Sequence, residues 1–123
     1  MNSYRVISIN TILYCRHWQE TLCFYREGLS LKVNFITDWF VEFVLSENAR
    51  ISIADQKRTS IRTPDTHGIT IALQVDDIDS AWNACVNKAL HPTEIKAHPW
   101  DARVFYVFDP EGRRIEIWQA DMN

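Results

Sequence analysis

The chain states its plan twice. Residues 40 to 54, FVEFVLSENARISIA, lie over residues 104 to 118, VFYVFDPEGRRIEIW, at an offset of 64. Residues 9 to 22, INTILYCRHWQETL, lie over residues 69 to 82, ITIALQVDDIDSAW, at an offset of 60. The first pair reads as strand, tight polar turn, strand; the second reads as a strand running into the start of a helix. A repeat at fixed period constrains the fold more than any local signal, because one small unit must be built twice and its copies packed. One substitution inside the repeat matters for chemistry: the first copy has Ser52 where the second has Glu116.

Each unit reads as one strand, one helix and three strands. In the first, residues 4–14 are rich in Val, Ile and Thr and read as a strand. A helix is predicted over residues 17–28, with Trp18, Leu22, Tyr25 and Leu29 at helical spacing on one face. Strands follow over 31–37, 40–45 and 50–54. The polar stretch DQKRTSIRTPDT, residues 55–66, reads as the connection between modules. The second unit restarts with a strand over 68–75. Asp77 then caps a helix whose expected buried face is Ile78, Trp82, Cys85 and Ala89. His91-Pro92 lies beyond its end, and strands close the unit over 94–98, 103–109 and 113–119. The expected fold is α+β: one domain over residues 1–123, made of two tandem βαβββ modules at 4–54 and 67–120, with a linker at 55–66. A single helix covers only one face of a four-stranded sheet. The other face needs burial, so the two sheets are expected to enclose a half-barrel cleft, by pairing within a chain or between chains. Such junctions favour small-molecule sites.

Composition narrows the classes of function. The formal net charge is −3 and the Lys and Arg residues are scattered, so no basic footprint points to nucleic acid. No apolar run approaches the length of a membrane span. The opening MNSYRVISIN lacks the basic-then-apolar layout of a secretory signal. Cys15, Cys23 and Cys85 are odd in number and form no C-x-x-C pair, which predicts free thiols in a reducing cytoplasm.

FYREGLSLKV at 24–33, VDDIDSAW at 75–82 and DPEGRRIEIW at 109–118 resemble signature segments of the vicinal oxygen chelate superfamily. Glyoxalases, extradiol dioxygenases, fosfomycin-modifying enzymes and bleomycin-binding resistance proteins belong to it. The resemblance spans essentially the whole chain, and the DPEG turn followed by Ile-Glu-Ile is its most specific part. Ser30 stands where the family usually has a helix-closing glycine, with Gly28 close by to serve instead. The resemblance also implies a homodimer. Metal-dependent members place four inward-facing ligands on the first and fourth strands of the two modules. The matching positions here are Asn10, Ser52, Thr70 and Glu116. Only Glu116 is a strong ligand for a first-row cation; the others offer an amide oxygen and two hydroxyls, against a usual demand for three imidazole, carboxylate or thiolate ligands. Of the histidines, His17 and His91 flank helices, His67 falls on the wrong alternation of its strand, and His98 lies near a strand end. The resemblance implies the fold, while the residues argue against the metal, and no cofactor is expected.

Glu116 has two readings. A carboxylate between Ile115 and Ile117 is ordinarily the solvent-facing member of an alternating strand. Its place in the repeat favours a ligand anchor, or a general base, with Arg103 or Arg114 as the candidate ion-pair partner. Trp39, Trp100 and Trp118 are not accounted for by the helix cores and read either as edge packing or as aromatic walls for a planar or cationic ligand. Arg103 is a candidate fork for a carboxylate or phosphate. The expected ligand-binding set is therefore Asn10, Trp39, Ser52, Thr70, Trp100, Arg103, Glu116 and Trp118, with Glu116 the catalytic candidate. The expected function is a metal-free small-molecule binding protein, like the bleomycin-resistance proteins it resembles, taking an aromatic or cationic compound. The alternative is a lyase, isomerase or dioxygenase-type enzyme of the same superfamily, with Glu116 as base or metal ligand.

Overall fold

Two sheets of identical topology realise the repeat. The structure, a computed structural model, describes residues 5–62, 69–99 and 102–120. The first unit holds β1 (Ile9–Cys15), α1 (Trp18–Cys23), β2 (Lys32–Ile36), β3 (Phe40–Ser46) and β4 (Ala49–Asp55). The second holds β5 (Thr70–Gln74), α2 (Ile78–Asn87), β6 (Lys96–His98), β7 (Ala102–Phe108) and β8 (Arg114–Ala120). Strand order is β1-β4-β3-β2 in one four-stranded sheet and β5-β8-β7-β6 in the other. In each, the first strand runs parallel to the fourth and the remaining pairs are antiparallel. The register repeats residue for residue. Ser52 lies opposite both Ile12 and Glu42, and Glu116 lies opposite both Ala72 and Tyr106. The two compact units divide between residues 64 and 65, inside the stretch expected to connect the modules. Asp55, the first residue of that stretch, instead ends β4, and Gln56–Arg58 form a short 3-10 turn.

Alternation decides which face each strand buries. In the first sheet Leu13, Val41, Phe43, Ile51 and Ile53 are buried, and the helix sets Thr21, Phe24 and Tyr25 against them. The Tyr25 and Phe43 rings lie 6.3 Å apart, and Trp18 Nε1 donates to the Ile53 carbonyl at 3.2 Å. Thr21 tolerates burial because its hydroxyl donates to the His17 carbonyl at 2.7 Å. The helical face differs from the expected one, since Leu22 and Leu29 are only half-buried. Beyond Cys23 the helix widens into a π turn, Phe24–Gly28, and Leu29 N–H reaches back five residues to the Phe24 carbonyl. The wider turn rotates the positions downstream of it. Closure also differs from expectation. Ser30 itself takes the left-handed conformation, with φ 57°, and Leu31 N–H closes onto the Tyr25 carbonyl.

In the second sheet Phe105, Val107, Ile115 and Ile117 pack on the side of α2, which contributes Ile78 and Cys85. Burial pushes the Cys85 thiol above its ordinary pKa, in keeping with an inert core group. Asp77 caps α2 as expected: one carboxylate oxygen accepts from Ser80 N–H at 3.1 Å and the other from the Ser80 hydroxyl at 2.8 Å. Trp82 is half-buried and donates Nε1 to the Thr93 carbonyl at 2.8 Å. Ala89, expected on the buried face, is exposed and lies past the helix end with φ 58°. Ala89 N–H bonds the Val86 carbonyl and Leu90 N–H the Cys85 carbonyl, the pattern of a Schellman closure.

The DPEG segment forms the turn that joins β7 to β8. Asp109 Oδ1 accepts from the N–H groups of Glu111 and Arg113, both at 2.9 Å, and Oδ2 lies 3.5 Å from Arg113 Nη1. All three side chains are buried, and Gly112 supplies the positive φ of 85° that the turn needs. This turn fixes the register that sets Glu116 opposite Tyr106. Among the described residues no helix is long and apolar enough to cross a membrane.

Candidate functional site

The helix-free face of each sheet collects the polar and aromatic side chains that the cores exclude. On the first sheet the residues alternating with the core are Phe40, Glu42, Arg50 and Ser52, joined by Asn10 from β1. They form one network. Asn34 Nδ2 donates to Glu42 Oε1 at 2.6 Å, and Asn10 Nδ2 makes a longer bond to Glu42 Oε2 at 3.4 Å. Ser52, fully buried, donates its hydroxyl to Asn10 Oδ1 at 2.8 Å. Arg50 Nε lies 3.9 Å from Glu42 Oε1, while its Nη1 donates to the carbonyls of Ser46, Glu47 and Ala49. A β-bulge between Val33 and Phe35 carries Asn34, the residue that clamps Glu42.

The second sheet presents Thr70, Tyr106, Arg114, Glu116 and Trp118 on its helix-free face. Arg114 Nε donates to the Thr70 hydroxyl at 2.9 Å, and its guanidinium carbon sits 5.0 Å from the centre of the Tyr106 ring. Glu116 is half-buried, and its carboxylate has no hydrogen-bond or ion-pair partner among the described residues. The repeat turns one feature around. The first sheet carries its carboxylate on the third strand, as Glu42 opposite Ser52; the second carries it on the fourth, as Glu116 opposite Tyr106.

Asn10 and Ser52 touch each other on the first sheet, and Thr70, Glu116 and Trp118 share a face on the second. Trp39 lies in the turn before β3, its ring edge-on to Phe40 at 5.7 Å. Arg103 is held elsewhere. It pairs across to α2, with Nη1 3.3 Å and Nη2 3.2 Å from the two oxygens of Asp79. Its opposite neighbour Gln119 also serves α2, accepting from Ile78 N–H at 2.7 Å. Arg103 therefore belongs to the helix-bearing face and pairs with Asp79 there. Trp100 and His67 lie outside the described residues. Glu42, Asn34 and Tyr106 were not foreseen as site residues. Glu42 and Tyr106 stand at the same position of the repeat, and nothing in the sequence there marks either as part of a site.

As a cation site this donor set is weak. Asn10 Oδ1 is taken by Ser52, and Glu42 is taken by two amides with Arg50 nearby. Thr70 accepts from a guanidinium, which repels any cation placed on the same oxygen. Among the described residues no three His, Cys, Asp or Glu side chains come together as a metal-binding group.

Similar structures share this fold. One is a glyoxalase/bleomycin resistance protein/dioxygenase from Nocardioides, 17% identical, with 98% of this chain and 86% of that chain covered and a TM-score of 0.77. Another is lactoylglutathione lyase from Agrobacterium tumefaciens, 17% identical over 97% of this chain and 95% of that one, with a TM-score of 0.75. A third is a bleomycin resistance determinant encoded on transposon Tn5, 15% identical over 94% and 98% of the two chains, with a TM-score of 0.73. At such identities the likeness is one of fold. Among curated proteins none matches this chain. The sequence itself carries the stronger evidence, since residues 8–117 match the Glyoxalase family, and the chain belongs to the Glyoxalase/Bleomycin resistance protein/Dioxygenase superfamily.

Proposed function

We propose that this protein binds a small aromatic or cationic molecule on its helix-free sheet faces without a transition metal, with Glu116 as the anchor for a ligand amine or hydroxyl. The observation that carries this reading is Glu116 itself: a half-buried carboxylate with no partner among the described residues, opposite Tyr106 and on the same face as Trp118. A half-buried carboxylate suits a cation, and Trp118 offers it a ring on the same face, while the Tyr106 ring already carries the Arg114 guanidinium. The metal-free part of the reading rests on the donor chemistry at the four family positions, of which only Glu116 is a strong ligand. The bleomycin resistance determinant that this chain resembles in fold offers an analogy, and fold does not determine function.

The same carboxylate would equally serve as a general base in a metal-independent lyase or isomerase. Glu116→Gln separates the two readings. In a sequestering protein the variant weakens binding of an aromatic amine and no turnover exists to lose. In an enzyme it abolishes turnover of a substrate that still binds. The homodimer reading draws support from exposed apolar residues on and before β1, namely Val6, Ile7, Ile9 and Ile12. A reducing, cytoplasmic setting suits three cysteines that form no disulfide.

A further inference from the structure

The second sheet's helix-free face carries a cation and an anion that do not neutralise each other. Arg114 and Glu116 are two residues apart on β8, so they emerge on the same face roughly 6.6 Å apart along the strand. They form no ion pair within 4.0 Å. Arg114 is exposed and yet restrained, by the Thr70 hydroxyl at Nε and by the Tyr106 ring against its guanidinium. Its terminal nitrogens have no partner among the described residues.

The matching residue of the first repeat shows that this is not the default for the position. Arg50 is satisfied by three backbone carbonyls of its own turn and lies beside the Glu42 carboxylate. Where the first sheet has Glu42, the second has Tyr106. An aromatic face holds a guanidinium in place without cancelling its charge. The second repeat thus keeps the arginine, restrains it, and leaves its forked donors open.

We propose that the second sheet takes a small zwitterion bearing an aromatic group, an amino acid or a close analogue, with Arg114 receiving the carboxylate and Glu116 the ammonium. The proposal rests on the reading of Glu116 as an amine anchor and adds the anionic half. A planar fork matches a carboxylate with two parallel hydrogen bonds, which a cationic ligand alone cannot use. A ligand with only the amine meets Arg114 as a like charge.

Three probes separate the charges: L-phenylalanine, phenethylamine and 3-phenylpropionate, titrated against tryptophan fluorescence of the full chain, since none of them contains an indole. L-phenylalanine is expected to bind about tenfold more tightly than either half-molecule. Arg114→Gln should remove that preference, weakening L-phenylalanine and 3-phenylpropionate while leaving phenethylamine equal or tighter. Thr70→Val, which frees Arg114 Nε and keeps the charge, should give a smaller loss in the same direction. Thermal unfolding of both variants checks that they fold, and Thr70→Val stands in should Arg114→Gln fail to. The proposal is overturned if phenethylamine binds wild type as tightly as L-phenylalanine, or if the preference survives Arg114→Gln. Phenethylamine binding that Glu116→Gln leaves unchanged would instead sink the amine anchor beneath it, even with the anion preference intact. Absence of binding by all three probes overturns the proposal.

Discussion

Ser30 and Ala89 hold the two helix-closing positions with a side chain where glycine carries no steric penalty. Their φ values of 57° and 58° lie in the left-handed region, which costs an ordinary residue about 1–2 kcal/mol. Part of that returns as a less flexible unfolded chain, because glycine gains entropy on unfolding. Ser30→Gly and Ala89→Gly should therefore each stabilise the protein, by about 0.5–1 kcal/mol, read as a rise in the urea midpoint with unchanged slope. A fall in midpoint for either would mean the side chain makes a contact that outweighs its backbone strain. At this scale the sequence was partly legible. The missing glycine at position 30 was visible, but Gly28 was the wrong substitute, because only the wide π closure brings position 30 to the left-handed conformation. Glu116 stood out through its mismatch with Ser52. Glu42 did not, since a lone glutamate in an alternating strand carries no mark until its neighbours, Asn34 and Asn10, are seen to clamp it. Arg103 misled for the opposite reason: nothing in its spacing shows that Asp79, on the helix, will claim it.

The elements were the most legible level, because period-two alternation and the offsets of 60 and 64 survive as register, from Ile12–Ser52 to Ala72–Glu116. Ends were less so. β1 begins at Ile9 and β6 at Lys96, later than propensity suggested, since propensity does not say where a pairing partner runs out. The cap of α2 was readable and has a consequence for acid stability. Hydrogen bonds from the Ser80 hydroxyl and N–H hold the Asp77 carboxyl below its ordinary value of 3.8. A lowered folded pKa means the unfolded chain takes up the proton first. The cap's contribution is thus fully present above the unfolded value and is lost as pH falls through the folded one. Asp77→Asn keeps a capping oxygen and removes the titration. Wild type and variant should differ in stability by a constant amount above about pH 5, and that difference should change as pH falls below it. Parallel stability curves down to about pH 2 would show that the Asp77 charge plays no part in the cap.

For the molecule as a whole, one sheet plan is used twice with different chemistry on its two helix-free faces. The first face is closed on itself: Glu42, Asn10, Ser52, Asn34 and Arg50 satisfy one another. On the second, Glu116 has no partner among the described residues, and only the Arg114 Nε is engaged by a hydrogen bond. Membership of the superfamily brings the fold, and with it four positions that hold a cation in metal-dependent relatives. Here those positions hold Asn10, Ser52, Thr70 and Glu116, and the metal-free reading stands on their chemistry. The most direct test is thermal unfolding of chelator-stripped protein with and without Mn(II), Fe(II), Ni(II) and Zn(II), in wild type and Glu116→Gln. A cation bound at the native site and present at about 100 times its Kd would add about 2.7 kcal/mol to stability. The expected result is no such shift with any of the four ions, or only a small one that Glu116→Gln retains. A shift of that size in wild type, abolished by Glu116→Gln, would contradict it and make Glu116 a metal ligand.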